Sequence, residues 1–247
     1  MWRRRLRSNL PRPSYHWGVS QSLVVSEGFG ATIQGEGPSI GRLCGFVRLG
    51  RCNQACTWCD TPYTWDWARY DPTVELVEQS VDDVLAKLDG MGVEMIVVTG
   101  GEPLLQQRAL RPLLDGIKQR GWRVEVETAG TLAWEQPPAF VDQFNVSPKL
   151  ENSGNELHRR YKPDLLRGFE ADGRSVFKFV VTEPHDLDEV ATIVDECGLT
   201  DIWIMPEGTD AETLLVRQRA LAPAVLERGW NLTTRLHILL WGDRRGV

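Results

Sequence analysis

Long apolar runs are absent from this 247-residue sequence. A helix that crosses a membrane needs about 20 consecutive apolar residues, and no stretch approaches that length. A signal peptide is not indicated either, because the four arginines within the first seven residues are followed by polar residues and prolines rather than by an apolar segment. We therefore expect a cytoplasmic protein that does not enter membranes.

A surplus of basic residues is also lacking. Lysine and arginine number 28 against 34 aspartates and glutamates, which gives a net charge of −6. Such a balance gives no support for general binding to nucleic acid or to a membrane surface. The length suits one domain with a full core, and no low-complexity linker divides the chain. We expect a basic arm over residues 1–20 and a single domain over residues 21–247.

The cysteines do not form the pattern of a disulfide framework. There are five, an odd number, and three of them, Cys52, Cys56 and Cys59, lie within eight residues. Clustered thiols of this kind are typical of metal binding or redox chemistry. Cys44 and Cys197 stand apart from the cluster, and we expect them to be buried apolar side chains.

From about residue 44 onward, strand-like and helix-like segments alternate. The strand candidates are near-continuous apolar runs, which are typical of parallel strands buried on both faces. They lie at residues 44–49, 94–98, 123–127, 144–147, 176–181 and 202–205. Strands and helices in this order predict a parallel sheet with right-handed crossovers.

Helix candidates lie between these strands and have recognisable ends. Ser80 is suited to cap a helix that runs to Leu88, and the other candidates end beside glycines. These other candidates are residues 104–120, 187–196 and 211–228. About six βα units result, fewer than the eight of a closed barrel. We therefore predict an α/β fold, a partial, open TIM-like barrel, with its chemistry at the carboxyl ends of the strands.

The three clustered cysteines form a Cys-x3-Cys-x2-Cys pattern directly after the first predicted strand. A [4Fe–4S] cluster is usually held by thiolates, and three of them leave its fourth iron open to a chelating ligand. Structural zinc would need a fourth ligand. Neither the four histidines nor the other two cysteines lie nearby at zinc-finger spacing. A distant fourth ligand keeps a zinc site open as an alternative.

This pattern resembles the signature of the radical S-adenosylmethionine (SAM) superfamily. In that superfamily the open iron binds SAM, and one electron from the reduced cluster cleaves it to methionine and a 5′-deoxyadenosyl radical. The Gly-Gly-Glu-Pro run at 100–103 and segments after the third and fourth strands are similar to SAM-contacting elements. The residues that the resemblance assigns to SAM are Trp58, Cys59, Asp60, Gly101, Glu102, Thr128, Ser147, Pro148 and Lys149, and those it assigns to the cluster are Cys52, Cys56 and Cys59.

Further motifs narrow the resemblance. The run Thr-Ile-Gln-Gly-Glu-Gly at 32–37, with Arg48, Thr61 and His237, resembles the 7-carboxy-7-deazaguanine synthase family from about residue 24 onward. The resemblance implies conversion of 6-carboxy-5,6,7,8-tetrahydropterin to 7-carboxy-7-deazaguanine with loss of ammonia, in queuosine and 7-deazapurine biosynthesis. It also implies Mg²⁺ near the substrate carboxylate, with Thr61 at the contacting position.

The chemistry of these residues suits such a substrate. Gln34 offers paired hydrogen bonds to the amide edge of a pterin, and Arg48 offers a carboxylate a planar two-donor fork. The structural alternatives are an Arg48 paired with an acidic neighbour, a Thr61 that caps its loop and an ordinary core His237. The residues predicted to contact the substrate are Ile33, Gln34, Gly35, Glu36, Arg48, Thr99, His237 and Val247. No side chain is assigned a separate catalytic role.

Partners and alternative functions complete these expectations. An electron donor such as a flavodoxin or ferredoxin and a homodimer are implied by the resemblance alone. An activating enzyme that makes a glycyl radical on a partner protein shares the cysteine pattern, but it has no evident need for the Gln-Gly-Glu-Gly run. A non-catalytic iron–sulfur or zinc module is the second alternative.

Overall fold

The computed structural model describes residues 22–134 and 140–247. The arm predicted over residues 1–20 lies outside the described residues. A nine-stranded sheet is the main element of the described part. Its strands are β1 (Ser22–Ile33), β2 (Leu43–Leu49), β3 (Val77–Ser80), β4 (Met95–Gly100), β5 (Arg123–Thr128), β6 (Gln143–Val146), β7 (Ser175–Val181), β8 (Ile202–Pro206) and β9 (Asn231–Leu232).

Eight α-helices and four short 3-10 helices connect these strands within the described residues. The α-helices are α1 (Pro72–Glu75), α2 (Val81–Asp89), α3 (Gln107–Gln119), α4 (Leu157–Arg160), α5 (Pro163–Asp172), α6 (Asp186–Cys197), α7 (Ala211–Glu227) and α8 (Leu236–Trp241). The 3-10 helices are Gly37–Ser39, Pro62–Thr64, Pro103–Gln106 and Glu151–Ser153. None of the described helices is long and apolar enough to cross a membrane.

The strand order is β3-β1-β2-β4-β5-β6-β7-β8-β9. All six predicted strands are present, as β2 and β4 to β8, and each pairs with its neighbour in parallel. The sequence did not predict β1 and β3, which add an antiparallel edge, or the short parallel strand β9. The predicted α/β class and the open sheet are confirmed.

The helix ends follow the predicted signals. The Ser80 hydroxyl accepts a hydrogen bond from the backbone N–H of Asp83 at 3.1 Å, which caps α2. Gly198 and Gly229 take left-handed conformations just after α6 and α7, as C-terminal glycines do. The second predicted helix, over residues 104–120, begins later than expected, at Gln107, because residues 103–106 form a 3-10 turn.

The two faces of the sheet have different characters. On the outer face, Ile96 and Val98 of β4 pack in one core with Leu113 and Ile117 of α3, and all four are fully buried. Each such side chain stabilises the fold by about 1.5–3 kcal/mol relative to exposure. The inner face has a small apolar cluster at its start and becomes polar toward the carboxyl ends of the strands. Its polar side chains are Arg48, Thr99, Glu125, Glu127, Asn145 and Lys178.

Candidate active site

One cavity opens over the polar inner face at the carboxyl ends of the parallel strands, which is where α/β proteins bind their ligands. It brings together the cysteine loop, the segment after β1 and the C-terminal segment. Most residues predicted to bind cluster, SAM, Mg²⁺ or substrate line it. They are Ile33, Gln34, Gly35, Glu36, Arg48, Cys52, Cys56, Trp58, Cys59, Asp60, Thr61, Thr99, Gly101, Thr128, Ser147, Lys149, His237 and Val247. Glu102 and Pro148 are the exceptions.

Glu102, predicted to contact SAM, does not line the cavity, and its side chain is fully buried. Its carboxylate accepts hydrogen bonds from Leu104 N at 3.0 Å, Thr128 Oγ1 at 2.9 Å and Ala129 N at 2.8 Å. Glu102 therefore holds the ends of β4 and β5 together. Pro148 is likewise buried, between two lining residues.

The cysteine loop follows β2 and is held by a second segment, residues 151–155. Ala55 N donates to Asn155 Oδ1 at 2.8 Å, and Thr57 N donates to the Ser153 carbonyl at 3.0 Å. This support was not predictable from the sequence, because contacts between loops leave no periodic pattern. The loop conformation therefore depends on residues about 100 positions away.

The cysteine thiols suit one thiolate for each of three irons. All three side chains line the cavity. Burial raises the pKa of Cys52 to about 12 and also raises that of Cys56, so iron must displace a proton from each of these thiols when it binds. Within the described ranges, no group of three or more His, Cys, Asp or Glu side chains is arranged to hold a single metal ion. A [4Fe–4S] cluster needs a different arrangement, with one thiolate bound to each iron, and it prefers soft sulfur ligands.

Gly101 brings the end of β4 against the backbone of the cysteine loop. A Cβ atom added there would lie 2.1 Å from the Arg51 carbonyl oxygen, far inside contact distance. The backbone N–H groups of Gly101 and Glu102 also donate to the Leu49 and Arg51 carbonyls, at 3.0 and 2.9 Å. Glycine is therefore required for this close approach.

Gly101→Ala is expected to lower the free energy of unfolding by about 1–3 kcal/mol, the usual cost of overpacking. Because the clash falls on the cysteine loop, iron content after reconstitution should fall as well. Thermal unfolding and iron analysis measure the two effects. Gly168→Ala is the matched control, since a Cβ there meets nothing within 4 Å. Equal behaviour of the two variants would contradict the prediction.

Arg48 lies on the inner face beside the cysteine loop. Its Nε donates to Glu27 Oε2 at 2.9 Å, and Tyr63 Oη donates to the same oxygen at 2.9 Å. In the part of the chain that the structure describes, no hydrogen bond of the terminal Arg48 nitrogens is found, and the side chain lines the cavity. Arg48 thus pairs with an acidic neighbour, as the structural alternative expects, yet both of its terminal nitrogens remain available to bind an anion.

Thr61 follows the last cysteine and begins the 3-10 helix Pro62–Thr64. Its side chain makes no capping hydrogen bond to that helix, so the structural alternative of a loop cap does not hold. The hydroxyl lies 3.7 Å from Cys59 Sγ and lines the cavity. It is an oxygen of the kind that Mg²⁺ prefers.

Glu127 is a cavity residue that the sequence analysis missed. Its carboxylate accepts from Gln34 Nε2 at 3.2 Å and from Thr99 Oγ1 at 2.7 Å, so it fixes two predicted substrate residues. The signal was available: the segment Arg-Val-Glu-Val-Glu-Thr alternates apolar and polar residues, which indicates one polar face.

A buried charge cluster borders the cavity. Glu36 forms ion pairs with Lys178 and, at 3.2 Å, with Arg235, and Arg235 also pairs with Asp60. Burial works to raise the pKa of Glu36, but the two cations outweigh it and hold this pKa well below its ordinary value. Lys178 and Arg235 were not singled out in the sequence, because each is one charged residue in an otherwise ordinary segment.

His237 belongs to the same cluster, in α8. A Cβ on Gly35 would lie 2.0 Å from His237 Nδ1, so glycine lets the backbone approach the ring. Burial, with Arg235 and Lys178, lowers the pKa of His237, and the acidic neighbours Glu36 and Asp60 oppose this only in part. The imidazole is therefore kept neutral at neutral pH.

The charge cluster predicts that acidification destabilises the fold. An unfolded histidine takes up a proton near pH 6.5, and buried His237 resists it, so the free energy of unfolding falls as pH drops below about 6.5. The contribution of Glu36 is lost at lower pH, below its ordinary pKa of 4.5. Thermal unfolding against pH checks this. His237→Gln should flatten the dependence of stability on pH between pH 6.5 and 5. The control His158→Gln, at an exposed position, should leave this dependence unchanged. A pH dependence that His237→Gln does not alter would contradict the account.

Val247 lines the cavity because the C-terminal segment is held in place by Arg245. The Arg245 guanidinium donates to Glu27 at 2.7 Å, pairs with Glu75 at 2.9 Å and lies 3.7 Å from the centre of the Tyr63 ring. Glu27 thus accepts from Arg245 and Arg48 together. These contacts connect the C-terminal segment to the side of the cavity that Arg48 lines.

Known proteins resemble this chain over most of its length. The model of the radical SAM superfamily matches residues 47–167. The 7-carboxy-7-deazaguanine synthase of Pyrobaculum aerophilum is 36% identical over 223 residues, covering 87% of this chain and 94% of that protein. That of Halobacterium salinarum is 33% identical over 256 residues, covering 94% and 95%. The crystal structure of QueE from Escherichia coli matches with a TM-score of 0.66 at 25% identity, covering 88% of this chain and 95% of that one.

Proposed function

This chain belongs to the 7-carboxy-7-deazaguanine synthase family of radical SAM enzymes, and from that membership we propose how its cavity performs the reaction. The enzyme is a lyase that converts 6-carboxy-5,6,7,8-tetrahydropterin to 7-carboxy-7-deazaguanine and ammonia. Its cofactors are a [4Fe–4S] cluster, SAM and Mg²⁺. The glycyl-radical activating enzyme and the non-catalytic module are not favoured.

The observation that carries the substrate assignment is the position of Arg48. Its side chain lines the same cavity as the three cluster cysteines, and among the described residues its terminal nitrogens make no hydrogen bond. A guanidinium fork matches a carboxylate in a two-bond arrangement, and the pterin substrate carries one carboxylate. Binding there would place the substrate within the same cavity as the cluster.

The other substrate residues would read the pterin ring. Gln34, held by Glu127, and the backbone at Ile33 and Gly35 would bind its amide and amino edge. Glu36 would accept from ring N–H groups. Thr99, His237 and Val247 complete the proposed substrate side of the cavity.

The cofactor side would be formed by the cysteine loop and the ends of the next strands. Cys52, Cys56 and Cys59 would ligate the cluster, which when reduced supplies the electron that cleaves SAM to a substrate-oxidising radical. The residues proposed to contact SAM are Trp58, Cys59, Asp60, Gly101, Thr128, Ser147 and Lys149. The Thr61 hydroxyl would contact Mg²⁺ together with the substrate carboxylate. Glu102 would hold this side of the cavity in place through its hydrogen bonds with Thr128 and Ala129.

An electron donor such as a flavodoxin or ferredoxin, a homodimer and a cytoplasmic setting belong to the same proposal, on the strength of the family alone. The substrate is a small molecule, so no partner protein is needed as the substrate.

The test is an anaerobic reaction of reconstituted enzyme with SAM, a reductant, Mg²⁺ and 6-carboxytetrahydropterin. We expect a product with the absorbance of a deazaguanine, and a slower rate after Mg²⁺ is chelated. Cleavage of SAM with the pterin left unchanged would contradict the proposed substrate. A rate unaffected by chelation would contradict the Mg²⁺ site.

A further inference from the structure

Each cluster cysteine has one N–H group directed at its sulfur atom. The backbone N–H of Gln54 donates to Cys52 Sγ at 3.4 Å. The Asn155 side-chain amide donates to Cys56 Sγ at 3.3 Å. The indole N–H of Trp65 donates to Cys59 Sγ at 3.3 Å. Two of the three donors are side chains, and they come from different segments of the chain, so substitution can remove them separately.

The orientation of the Asn155 amide is fixed by its other contacts. Its Oδ1 accepts from Ala55 N at 2.8 Å, and of the two atoms of the side-chain amide only the oxygen is an acceptor. The nitrogen must therefore be the atom that faces Cys56, where it also donates to Ser153 Oγ at 3.1 Å. Arg160 Nε donates to the Asn155 carbonyl at 3.1 Å and holds the backbone at this point.

Trp65 is fixed by the 3-10 helix that precedes it. Its backbone N–H donates to the Pro62 carbonyl at 3.0 Å, and its side chain is partly buried and lines the cavity. A buried indole N–H normally finds an acceptor, and among the described residues the acceptor found is Cys59 Sγ. The ring is therefore placed by local structure with its single polar atom at a cluster ligand.

Hydrogen bonds to ligand sulfurs change the balance between the two redox states of a cluster. Reduction adds one electron, and the added negative charge is shared with the cysteine sulfurs. An N–H donor stabilises the more negative, reduced state more than the oxidised one, so it raises the reduction potential. No bond at sulfur forms or breaks; an external one-electron donor supplies the electron.

We propose that Asn155 and Trp65 are positioning residues for the cluster, which raise its reduction potential by donating N–H groups to Cys56 and Cys59. They do not ligate iron. They make the cluster easier to reduce, and SAM cleavage requires the reduced cluster. The inference rests on the cluster of the proposed function and is independent of the pterin.

Trp65→Phe and Asn155→Asp test it. Trp65→Phe keeps an aromatic ring and removes one N–H. Asn155→Asp keeps the acceptor for Ala55 N and removes the donor to Cys56, but it also adds a negative charge that lowers the potential, so Trp65→Phe is the variant that isolates the loss of a hydrogen bond. Trp67→Phe is the matched control, because Trp67 is exposed, with 40% of its surface accessible, and does not line the cavity.

The measurement is the midpoint potential of the reconstituted protein, followed by the electron paramagnetic resonance signal of the reduced cluster without SAM or pterin. Each variant is expected to reduce the ratio of reduced to oxidised cluster about tenfold at a fixed ambient potential, a shift of about 59 mV to lower potential for one electron. The control should not shift.

Unchanged midpoints in Trp65→Phe and Asn155→Asp at full iron content would overturn the inference. Iron is counted first, and if Asn155→Asp does not incorporate a complete cluster, the Trp65→Phe variant decides alone. Because no substrate is present, an unchanged potential leaves the pterin assignment standing. Conversely, shifted potentials without pterin turnover would overturn only the pterin assignment.

Discussion

Cys56→Ala is expected to reduce SAM cleavage to the level of enzyme without iron, while the fold stays intact. Cys56 is one of three thiolates available for three irons, and its loss leaves two ligands for a cluster that needs three. The side chain is small and 8% exposed, so alanine fits its place with little change in packing. Chromatography of 5′-deoxyadenosine formed from SAM under reduction measures the effect, alongside iron content and thermal unfolding.

Cys197→Ala is the matched control for this prediction. Cys197 is also buried and free, but it lies at the end of α6 and does not line the cavity. Its replacement should leave iron content and SAM cleavage unchanged. SAM cleavage that survives in Cys56→Ala would contradict the cluster assignment, whatever the control shows.

Arg48→Ala is expected to weaken binding of the pterin carboxylate. The loss of hydrogen bonds to a charged group corresponds to about 2 kcal/mol, or roughly 30-fold in KM. Glu27 keeps Tyr63 and Arg245 as donors, which limits the damage to the fold. Steady-state kinetics of pterin turnover measures the effect, and SAM cleavage without substrate should change little.

Two controls make the Arg48 prediction specific. Arg48→Lys keeps the charge but loses the planar fork, so its KM should fall between those of the native enzyme and Arg48→Ala. A tetrahydropterin without the carboxylate should bind native enzyme and Arg48→Ala almost equally. An effect of Arg48→Ala on SAM binding alone would place this side chain on the cofactor side instead.

The strands that hold the site were predictable where their residues are apolar and regularly placed. β4 and β7 are runs of Val, Ile and Phe, and such runs mark buried parallel strands. β1 was missed because its pattern is interrupted. Its pairing with β2 shifts register between Val25 and Glu27 and again between Phe29 and Thr32, and glycines lie between these shifts.

The site was predictable to the extent that its residues follow strand ends or lie in short motifs. Arg48 and Thr61 are close to the cysteines in sequence, and the parallel sheet brings Gly101 and Thr128 to the same edge. Side-chain direction was not predictable. Glu102 follows a strand as the lining residues do, yet its carboxylate turns inward to three donors.

Residues in irregular segments could not be placed from the sequence. Arg235 precedes a six-residue helix, and Asn155 follows a left-handed glycine in a loop. Their positions depend on how distant segments pack, through contacts such as the one from Asn155 to the cysteine loop. No local sequence pattern encodes such contacts, because each of the two residues is of a type that is common in its own segment.

The most direct test of the central claim is the amount of product formed for each SAM consumed. Mass spectrometry of an anaerobic reaction would measure 7-carboxy-7-deazaguanine, ammonia, 5′-deoxyadenosine and SAM together. The family resemblance implies that SAM is re-formed after each turnover, so we expect deazaguanine and ammonia in equal amounts, each well above the SAM consumed. Loss of SAM to 5′-deoxyadenosine without deazaguanine would contradict the account.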